Sequence, residues 1–117
     1  MIDIYGLKTC DTCRKAVKWL TAEGMDHVFH DLRAEGVTQR QIGCWADAVG
    51  WEMLLNKAST TWRGLDAADK EDVDKTKALA LMTAYPTLVK RPVFDLGEIV
   101  LVGFKPAQQD ALQRACR

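Results

Sequence analysis

Two cysteines separated by two residues are the feature of this sequence with the clearest capacity for chemistry. Cys10-Asp11-Thr12-Cys13 follows a short apolar segment and precedes an apolar pattern of helical spacing. A helix N-terminus carries roughly half a positive charge and several unpaired N–H groups, so it stabilises a thiolate. The pKa of such a thiol falls from about 8.5 into the range of about 3.5–7.5. The motif therefore predicts a nucleophilic Cys10 and a resolving Cys13, which can form and reopen a disulfide.

A zinc half-site and a pair of structural thiols are the alternatives to a redox pair. Zinc takes about four ligands, and the remaining candidates are Cys44, Cys116, His27 and His30. The two histidines are three residues apart on a predicted strand and point to opposite faces. Neither further cysteine belongs to a second pair. We therefore prefer the redox interpretation and expect no metal.

The elements that must position this motif follow from the hydrophobic pattern. The first third of the chain predicts a strand at 2–5, a helix from Cys13 to a stop at Gly24, and a second strand at 27–32. The cysteine motif thus lies where a strand leads into a helix.

The middle of the chain is predicted to be helical. A capping box at Thr38–Gln41 opens a helix to about Val49, and a short helix follows at 51–55. The polar stretch 59–63 is predicted as a loop, and one further helix is predicted from 66 to a stop at Pro86. We expect the segment of about 38–84 to be a helical insertion beside a sheet.

The last part of the chain predicts an antiparallel hairpin at 93–95 and 99–102, and then a helix that opens at Pro106. The full order is β-α-β, a helical block, and β-β-α. This order is typical of an α/β protein with a thioredoxin-like fold. We expect one domain over residues 1–117.

Arg91 and Pro92 stand at the start of the predicted hairpin. In a thioredoxin-like layout this point lies beside the cysteine loop, where a cis X–Pro bond leaves the preceding backbone free to pair with an extended thiol or disulfide substrate. Arg91 then presents five donors to an anion or a thiolate. A solvated arginine at a strand start is the alternative from the residues alone.

Length, charge and composition narrow the class of protein. The chain has 117 residues, which suits a single domain. Sixteen Lys+Arg balance sixteen Asp+Glu, so the charge does not favour nucleic acid as a partner. The sequence contains no apolar run near about 18 residues, the length that indicates a membrane span. The N-terminus lacks the features of a secretory signal. We therefore expect a cytoplasmic protein without a membrane partner.

The remaining cysteines and the large aromatic residues are assigned structural roles. Cys44 is expected to be a buried small residue, and Cys116 a frayed terminal one. Trp45 and Trp51 are expected to pack in a core or against the insertion. Trp62 either borders the site or lies away from it.

Several stretches of the chain together carry a resemblance to a known family: Tyr5-Gly6 through Cys10, Gly50-Trp51 through Leu55, Thr60-Thr61-Trp62-Arg63-Gly64-Leu65, and Leu88 through Pro92. They resemble the ArsC/Spx family, and in particular its YffB-type branch of small arsenate-reductase-like bacterial proteins. The resemblance covers nearly the whole chain. It implies a thioredoxin-like fold with a helical insertion, a cis proline at Pro92 and a nucleophilic Cys10.

The resemblance further implies a cytoplasmic thiol–disulfide oxidoreductase. Its substrate would be a small oxidised thiol or an oxyanion, its co-substrate glutathione rather than a bound cofactor, and glutaredoxin a candidate partner. Cys10 attacks, Cys13 or glutathione resolves the intermediate, and Arg91 stabilises the thiolate or the anion. Substrate contacts are expected from residues around the motif and from one arginine of the insertion: Lys8, Thr9, Asp11, Thr12, Arg63 and Pro92.

The chain differs from arsenate reductases of this fold in the residues that would bind the anion. Those enzymes hold the oxyanion with the cysteine and three arginines. The first arginine position falls at Asn56, the second at Arg91, and the third near Gly103, with Lys105 as the nearest cation. Each lost charge-assisted contact costs roughly 1.5–3 kcal/mol, so arsenate is a poor expected substrate. Arg63 is either a replacement charge or a solvated side chain.

The Spx branch of the family supplies a function of another class. Its members resemble this chain in the C-x-x-C and the Arg-Pro, and they bind RNA polymerase with the disulfide as a switch. The Thr-Thr-Trp-Arg stretch favours the YffB-type branch. A redox-switched regulator is therefore the alternative to the reductase.

Overall fold

The computed structural model describes residues 1–116, which form two compact units. The sheet unit comprises residues 1–32 together with the chain from Arg91 onward, and the helical unit comprises residues 33–90. The segment predicted as a helical insertion, at about 38–84, lies within the helical unit. Among residues 1–116, no helix combines the length and the apolar character needed to cross a membrane.

The elements follow one another along the chain in this order: β1 (Ile2–Gly6), α1 (Asp11–Ala22), β2 (His27–Asp31), α2 (Leu32–Glu35), α3 (Gln39–Val49), α4 (Trp51–Leu54), α5 (Thr60–Arg63), α6 (Ala67–Lys70), α7 (Lys75–Ala84), a short 3-10 helix (Pro86–Leu88), β3 (Val93–Asp95), β4 (Val100–Val102) and α8 (Pro106–Ala115).

A mixed four-stranded sheet forms the sheet unit, with the strand order β2-β1-β3-β4. β1 pairs in parallel with β2, and α1 connects the two strands. β3 pairs antiparallel with both β1 and β4. This is the predicted β-α-β and β-β-α order, and the fold is thioredoxin-like.

Apolar residues of the strands β1 and β3 and of the helices α1 and α8 pack together in one core. Their common property is near-complete burial, and they are Ile2, Ile4, Ala16, Leu20, Phe94 and Leu112. Ile2 and Ile4 share a face because side chains alternate along a strand. Ala16 and Leu20 share a face because they are four residues apart on a helix. This packing fixes the N-terminus of α1 just after the end of β1.

Helix α1 begins and ends close to the predicted positions. It starts at Asp11, with Cys10 as its N-cap, rather than at Cys13. The backbone oxygen of Cys10 accepts the N–H of Arg14 at 3.0 Å, which closes the first turn. Gly24 follows the helix with a φ of +69°, a left-handed conformation that glycine adopts readily.

The helical unit is built from α3, α4 and α7 around its own buried residues: Ile42, Trp45, Ala46, Leu54, Leu55, Ala78, Leu81, Met82, Leu88 and Val89. The predicted capping box is confirmed. The Thr38 hydroxyl accepts the N–H of Gln41 at 3.1 Å, and the Gln41 side chain accepts the N–H of Thr38 at 3.0 Å. Trp45 is 1% exposed, as expected of a core residue, and Trp51 is partly exposed.

Two predictions of element type in the helical unit are wrong. The stretch predicted as a loop at 59–63 contains α5, because the Ser59 hydroxyl accepts the N–H of Trp62 at 3.1 Å and caps the turn. The single helix predicted from 66 to Pro86 is two helices, α6 and α7. Asp72 adopts a φ of +48° between them, and the Asp74 carboxylate caps α7 through the N–H of Lys77.

The prediction that Cys44 is buried is also wrong. Helix α3 turns Ile42, Trp45 and Ala46 toward the core of the helical unit. Cys44 lies two residues after Ile42, and residues two apart on a helix do not share a face. Its thiol is therefore exposed to solvent.

Candidate active site around the cysteine pair

The loop between β1 and α1 carries both cysteines of the motif. The N–H of Cys10 donates to the carbonyl of Leu7 at 3.0 Å, so the loop is a tight turn directly before the helix. Cys10 is partly exposed, whereas Cys13 in the first turn of α1 has no exposed surface. Both are free thiols. As expected, Cys10 is the accessible thiol of the pair and Cys13 is the enclosed one.

Gly6, the last residue of β1, makes room for the sulfur of Cys13. A Cβ added at Gly6 would lie 2.4 Å from the Cys13 Sγ, closer than any side chain tolerates. From the sequence, Gly6 has no role beyond its place directly after the strand predicted at 2–5. Its position directly before the turn gave no signal of this contact, because the contact depends on how α1 packs on β1.

The two thiols have opposite pKa shifts. Burial by itself raises the pKa of Cys10. The Cys10 sulfur accepts hydrogen bonds from the Cys13 N–H, the Cys13 thiol and the Arg91 guanidinium, and Arg91 also brings its charge. Together these interactions outweigh burial and lower the pKa of Cys10. Burial raises the pKa of Cys13 to about 12, and the nearby Cys10 thiolate adds to the rise. Cys10 is therefore the thiol that ionises first, and Cys13 donates a hydrogen bond to it.

Arg91 contacts the Cys10 sulfur although it lies about eighty residues further along the chain. It immediately precedes β3, and the bond to Pro92 is cis, as predicted. Its Nε is buried, and its guanidinium hydrogen-bonds the Cys10 sulfur. The carbonyl of Pro92 accepts the N–H of Gly103 at 2.9 Å, which joins the start of β3 to the end of β4. Cys10, Cys13, Arg91 and Pro92 are thus assembled in one place.

Asp31 is a member of the site that the sequence analysis missed. It ends β2, is only 9% exposed, and its carboxylate accepts the backbone N–H of Lys8 at 2.9 Å. Because β1 and β2 are parallel, their carboxyl ends are adjacent, and Asp31 can hold the loop that carries Cys10. An acidic residue at the end of an apolar strand was the available signal.

The other predicted contact residues of the loop lie at the surface. Lys8, Thr9, Asp11 and Thr12 are all exposed. The carboxylate of Asp11 pairs with the guanidinium of Arg14 in the first turn of α1. These four side chains are therefore open to solvent on either side of Cys10 in the sequence, and an exposed pair such as Asp11–Arg14 adds little stability.

Arg63 belongs to the helical unit, at the end of α5. Its side chain is exposed, and its guanidinium donates to the carbonyl of Ala58 at 3.4 Å. Trp62 lies beside it with the Lys57 ammonium 5.6 Å from the ring centroid. Local contacts of α5 and its preceding turn thus account for both side chains.

Asn56, Gly103 and Lys105, which the resemblance places at or near the expected anion ligands, take part in local backbone structure. The side-chain oxygen of Asn56 accepts the N–H of Ala58 at 3.1 Å and shapes the turn before α5. Gly103 has a φ of +93°, in the left-handed region. The N–H of Lys105 donates to the Gln108 side chain at the start of α8. Asn56 and Gly103 carry no charge that would hold an oxyanion.

The ligands that a zinc half-site would need are used elsewhere. His27 Nδ1 lies 2.9 Å from the Met25 carbonyl oxygen, and His30 Nε2 lies 2.9 Å from the Asp3 carboxylate. Within residues 1–116, no group of three or more metal-binding side chains is clustered.

Comparison with known proteins relates this geometry to a family. The model of the ArsC family matches residues 5–112. The solved structure of a YffB protein is 44% identical, covers 100% of both chains and superposes with a TM-score of 0.92. An arsenate reductase (ArsC) related protein from Brucella melitensis is 43% identical over 97% of this chain and 94% of its own, with a TM-score of 0.75.

A transcriptional regulator is also related to this chain. The global transcriptional regulator Spx 1 of Lactococcus lactis is 27% identical over 106 residues, which are 89% of this chain and 82% of the regulator. Relatives of this chain thus include both arsenate-reductase-related proteins and a regulator.

Proposed function

This chain belongs to the ArsC family, and on that premise we propose that it is a thiol-dependent reductase with Cys10 as its nucleophile. The observation that supports this proposal most directly is the convergence of the Cys13 thiol, the Cys13 N–H and the Arg91 guanidinium on the Cys10 sulfur. Donors to a sulfur favour its ionised form, and the thiolate is the form that attacks.

The proposed reaction begins with attack by the Cys10 thiolate on one sulfur of a small disulfide. A new S–S bond forms to Cys10, the S–S bond of the substrate breaks, and the second sulfur leaves as a thiolate. Arg91 stabilises the Cys10 thiolate before the attack. The substrate gains the electron pair that Cys10 supplied, so the protein is left as a mixed disulfide.

Either Cys13 or glutathione resolves this intermediate. The Cys10 thiolate contributes to the raised pKa of Cys13, and this contribution ends once Cys10 is in a disulfide. Attack by Cys13 then releases the second thiol and leaves a Cys10–Cys13 disulfide. We place this chemistry in the cytoplasm, with glutathione as the co-substrate and glutaredoxin as a candidate reductant of the disulfide.

We propose a small disulfide rather than arsenate as the substrate. By the resemblance, Arg91 fills one of the three arginine positions of arsenate reductases, whereas the first position falls at Asn56 and the third near Gly103. A tetrahedral oxyanion would lose two charge-assisted contacts, each worth roughly 1.5–3 kcal/mol. A disulfide needs no such set of cations.

Alkylation of Cys10 as a function of pH tests this proposal. The measurement should use a variant with both Cys44→Ser and Cys116→Ser, because these two thiols are exposed and would otherwise react. We expect fast alkylation of Cys10 at neutral pH, and the loss of two hydrogens by intact mass after mild oxidation. A low pKa without this disulfide would indicate glutathione as the resolver. Slow alkylation with an ordinary thiol pKa would refute the reductase.

A redox-switched regulator is the second candidate, and the relation to Spx 1 favours it. It predicts binding to RNA polymerase that changes on oxidation of the cysteine pair, without turnover of small disulfides. A pull-down with RNA polymerase on reduced and oxidised protein, run beside an assay with hydroxyethyl disulfide and glutathione, separates the two functions. Turnover without redox-dependent binding supports the reductase, and the reverse supports the regulator.

A further inference from the structure

An open apolar groove of about 320 Å³ lies beside Cys13 in the sheet unit. The residues that line it come from the loop after β1, one side of α1, and β2, and they are Leu7, Lys8, Cys13, Arg14, Val17, Lys18 and Phe29. Val17 and Phe29 are partly exposed here, although both also pack against the core. The groove thus offers apolar surface to a ligand without any rearrangement of the sheet.

Three cations surround this apolar surface. Lys8, Arg14 and Lys18 are exposed, so their stems can line the groove while their charged ends remain in water. Arg14 pairs with Asp11, whereas Lys8 and Lys18 form no side-chain ion pair within residues 1–116. Asp11 offsets only one of the three charges. The groove therefore favours a ligand that is both apolar and anionic.

Cys13 connects this groove to the reactive thiol. It contributes to the groove lining, and its thiol donates a hydrogen bond to the Cys10 sulfur. Lys8 likewise lines the groove and belongs to the loop that the Asp31 carboxylate holds. A group bound in the groove is therefore next to Cys13, whose thiol in turn contacts the Cys10 sulfur. A volume of about 320 Å³ suits a single ring or a short alkyl chain.

We propose that this groove is a substrate subsite, and that the preferred substrates are small disulfides carrying an apolar group with a carboxylate or similar anion. This inference rests on the proposed reductase function and adds the substrate class. The groove binds the apolar group, and Lys8 and Lys18 attract its charge. The Cys10 thiolate attacks the adjacent sulfur, and the other half of the disulfide leaves as a thiolate.

Binding of phenylbutyrate, an apolar anion without sulfur, tests the subsite apart from the redox chemistry. We expect it to shift the NMR amide signals of residues 7–8, 13–18 and 29, in the wild type and in Cys10→Ser alike. Lys18→Glu should weaken binding by about tenfold, the effect of replacing an attraction with a repulsion near an apolar site. Lys15→Glu is the matched control, because Lys15 is exposed on the same helix but does not line the groove. Shifts elsewhere, or equal effects of both variants, would overturn the subsite.

The rate of mixed-disulfide formation at Cys10 gives the second readout. We expect dithiodibenzoate, which is apolar and anionic, to lose rate selectively in Lys18→Glu, while dipyridyl disulfide, which is apolar and neutral, keeps its rate. Equal changes for both reagents would overturn the role of the groove and leave the reductase standing. Binding of phenylbutyrate in the groove together with an unreactive Cys10 would instead overturn the reductase, and with it the substrate class.

Discussion

The sheet unit and the helical unit each pack around buried apolar residues, but they differ in the polar contacts that define them. In the sheet unit, strands and helices with long apolar patterns pack on one another, and residues far apart in sequence meet at the Cys10 sulfur. In the helical unit, short helices begin where single side chains cap them, as Ser59 and Asp74 do. Contacts between residues distant in sequence therefore create the candidate site, whereas local side-chain caps in the helical unit set where α3, α5 and α7 begin.

Replacing the nucleophile gives the largest expected contrast between the units. Cys10→Ser should lower disulfide reduction by at least about a thousandfold, because a serine hydroxyl is a far weaker nucleophile than a thiolate. Cys44→Ser in the helical unit is the matched control and should retain full activity, since that thiol is exposed and lies on α3. The assay is the turnover of hydroxyethyl disulfide with glutathione. Retained activity in Cys10→Ser would show that Cys10 is not the nucleophile.

A pair of glycine substitutions sharpens the contrast in stability. Gly6→Ala should lower the free energy of unfolding by about 1–3 kcal/mol, because the new methyl group meets the Cys13 Sγ. Gly43→Ala, within α3, meets nothing within 4 Å and should stabilise the protein by up to about 1 kcal/mol. Denaturant unfolding of both variants measures the difference. Equal effects would mean that Gly6 is not required for the contact with Cys13.

Arginine substitutions test the electrostatic part of the comparison. Arg91→Ala should raise the pKa of Cys10, because the hydrogen bond and the charge of the guanidinium both lower it. Alkylation at neutral pH should slow by about tenfold, the size expected for one charge-assisted hydrogen bond, and the pH profile should move to higher pH. Arg63→Ala is the control, and its pH profile should match the wild type. A profile unchanged by Arg91→Ala would refute the role of this residue.

The smallest expected effect comes from a cap in the helical unit. Thr38→Ala removes the acceptor for the Gln41 N–H and should lower the free energy of unfolding by about 1 kcal/mol. The rate of Cys10 alkylation should stay the same, because no reacting group changes. Thermal unfolding and alkylation of the same sample test both expectations. A slower alkylation would contradict the assignment of the chemistry to the sheet unit alone.

Much of the fold was predictable because it follows from local patterns. The strand at 2–5, the stop at Gly24, the capping box at 38–41 and the final hairpin are each encoded within a few residues. The failures also have local reasons. The polar composition of 59–63 concealed the cap that Ser59 supplies, and the acidic run after 66 gave no signal of the break at Asp72. The period of the hydrophobic pattern shows which residues share a helix face, but a helix of a single turn is too short to display that period.

For the candidate site, the thiols, their spacing, and their place where a strand leads into a helix could all be read from the amino-acid order. It also placed Arg91 and Pro92 at the start of the hairpin. Only the tertiary structure brought Arg91 to the Cys10 sulfur, set Asp31 against the loop, and pressed Cys13 onto Gly6. These contacts join residues from distant parts of the chain, and their geometry comes from the pairing and packing of β1, β2, β3 and α1. A thiol's identity is local, but its pKa and its neighbours are properties of the fold.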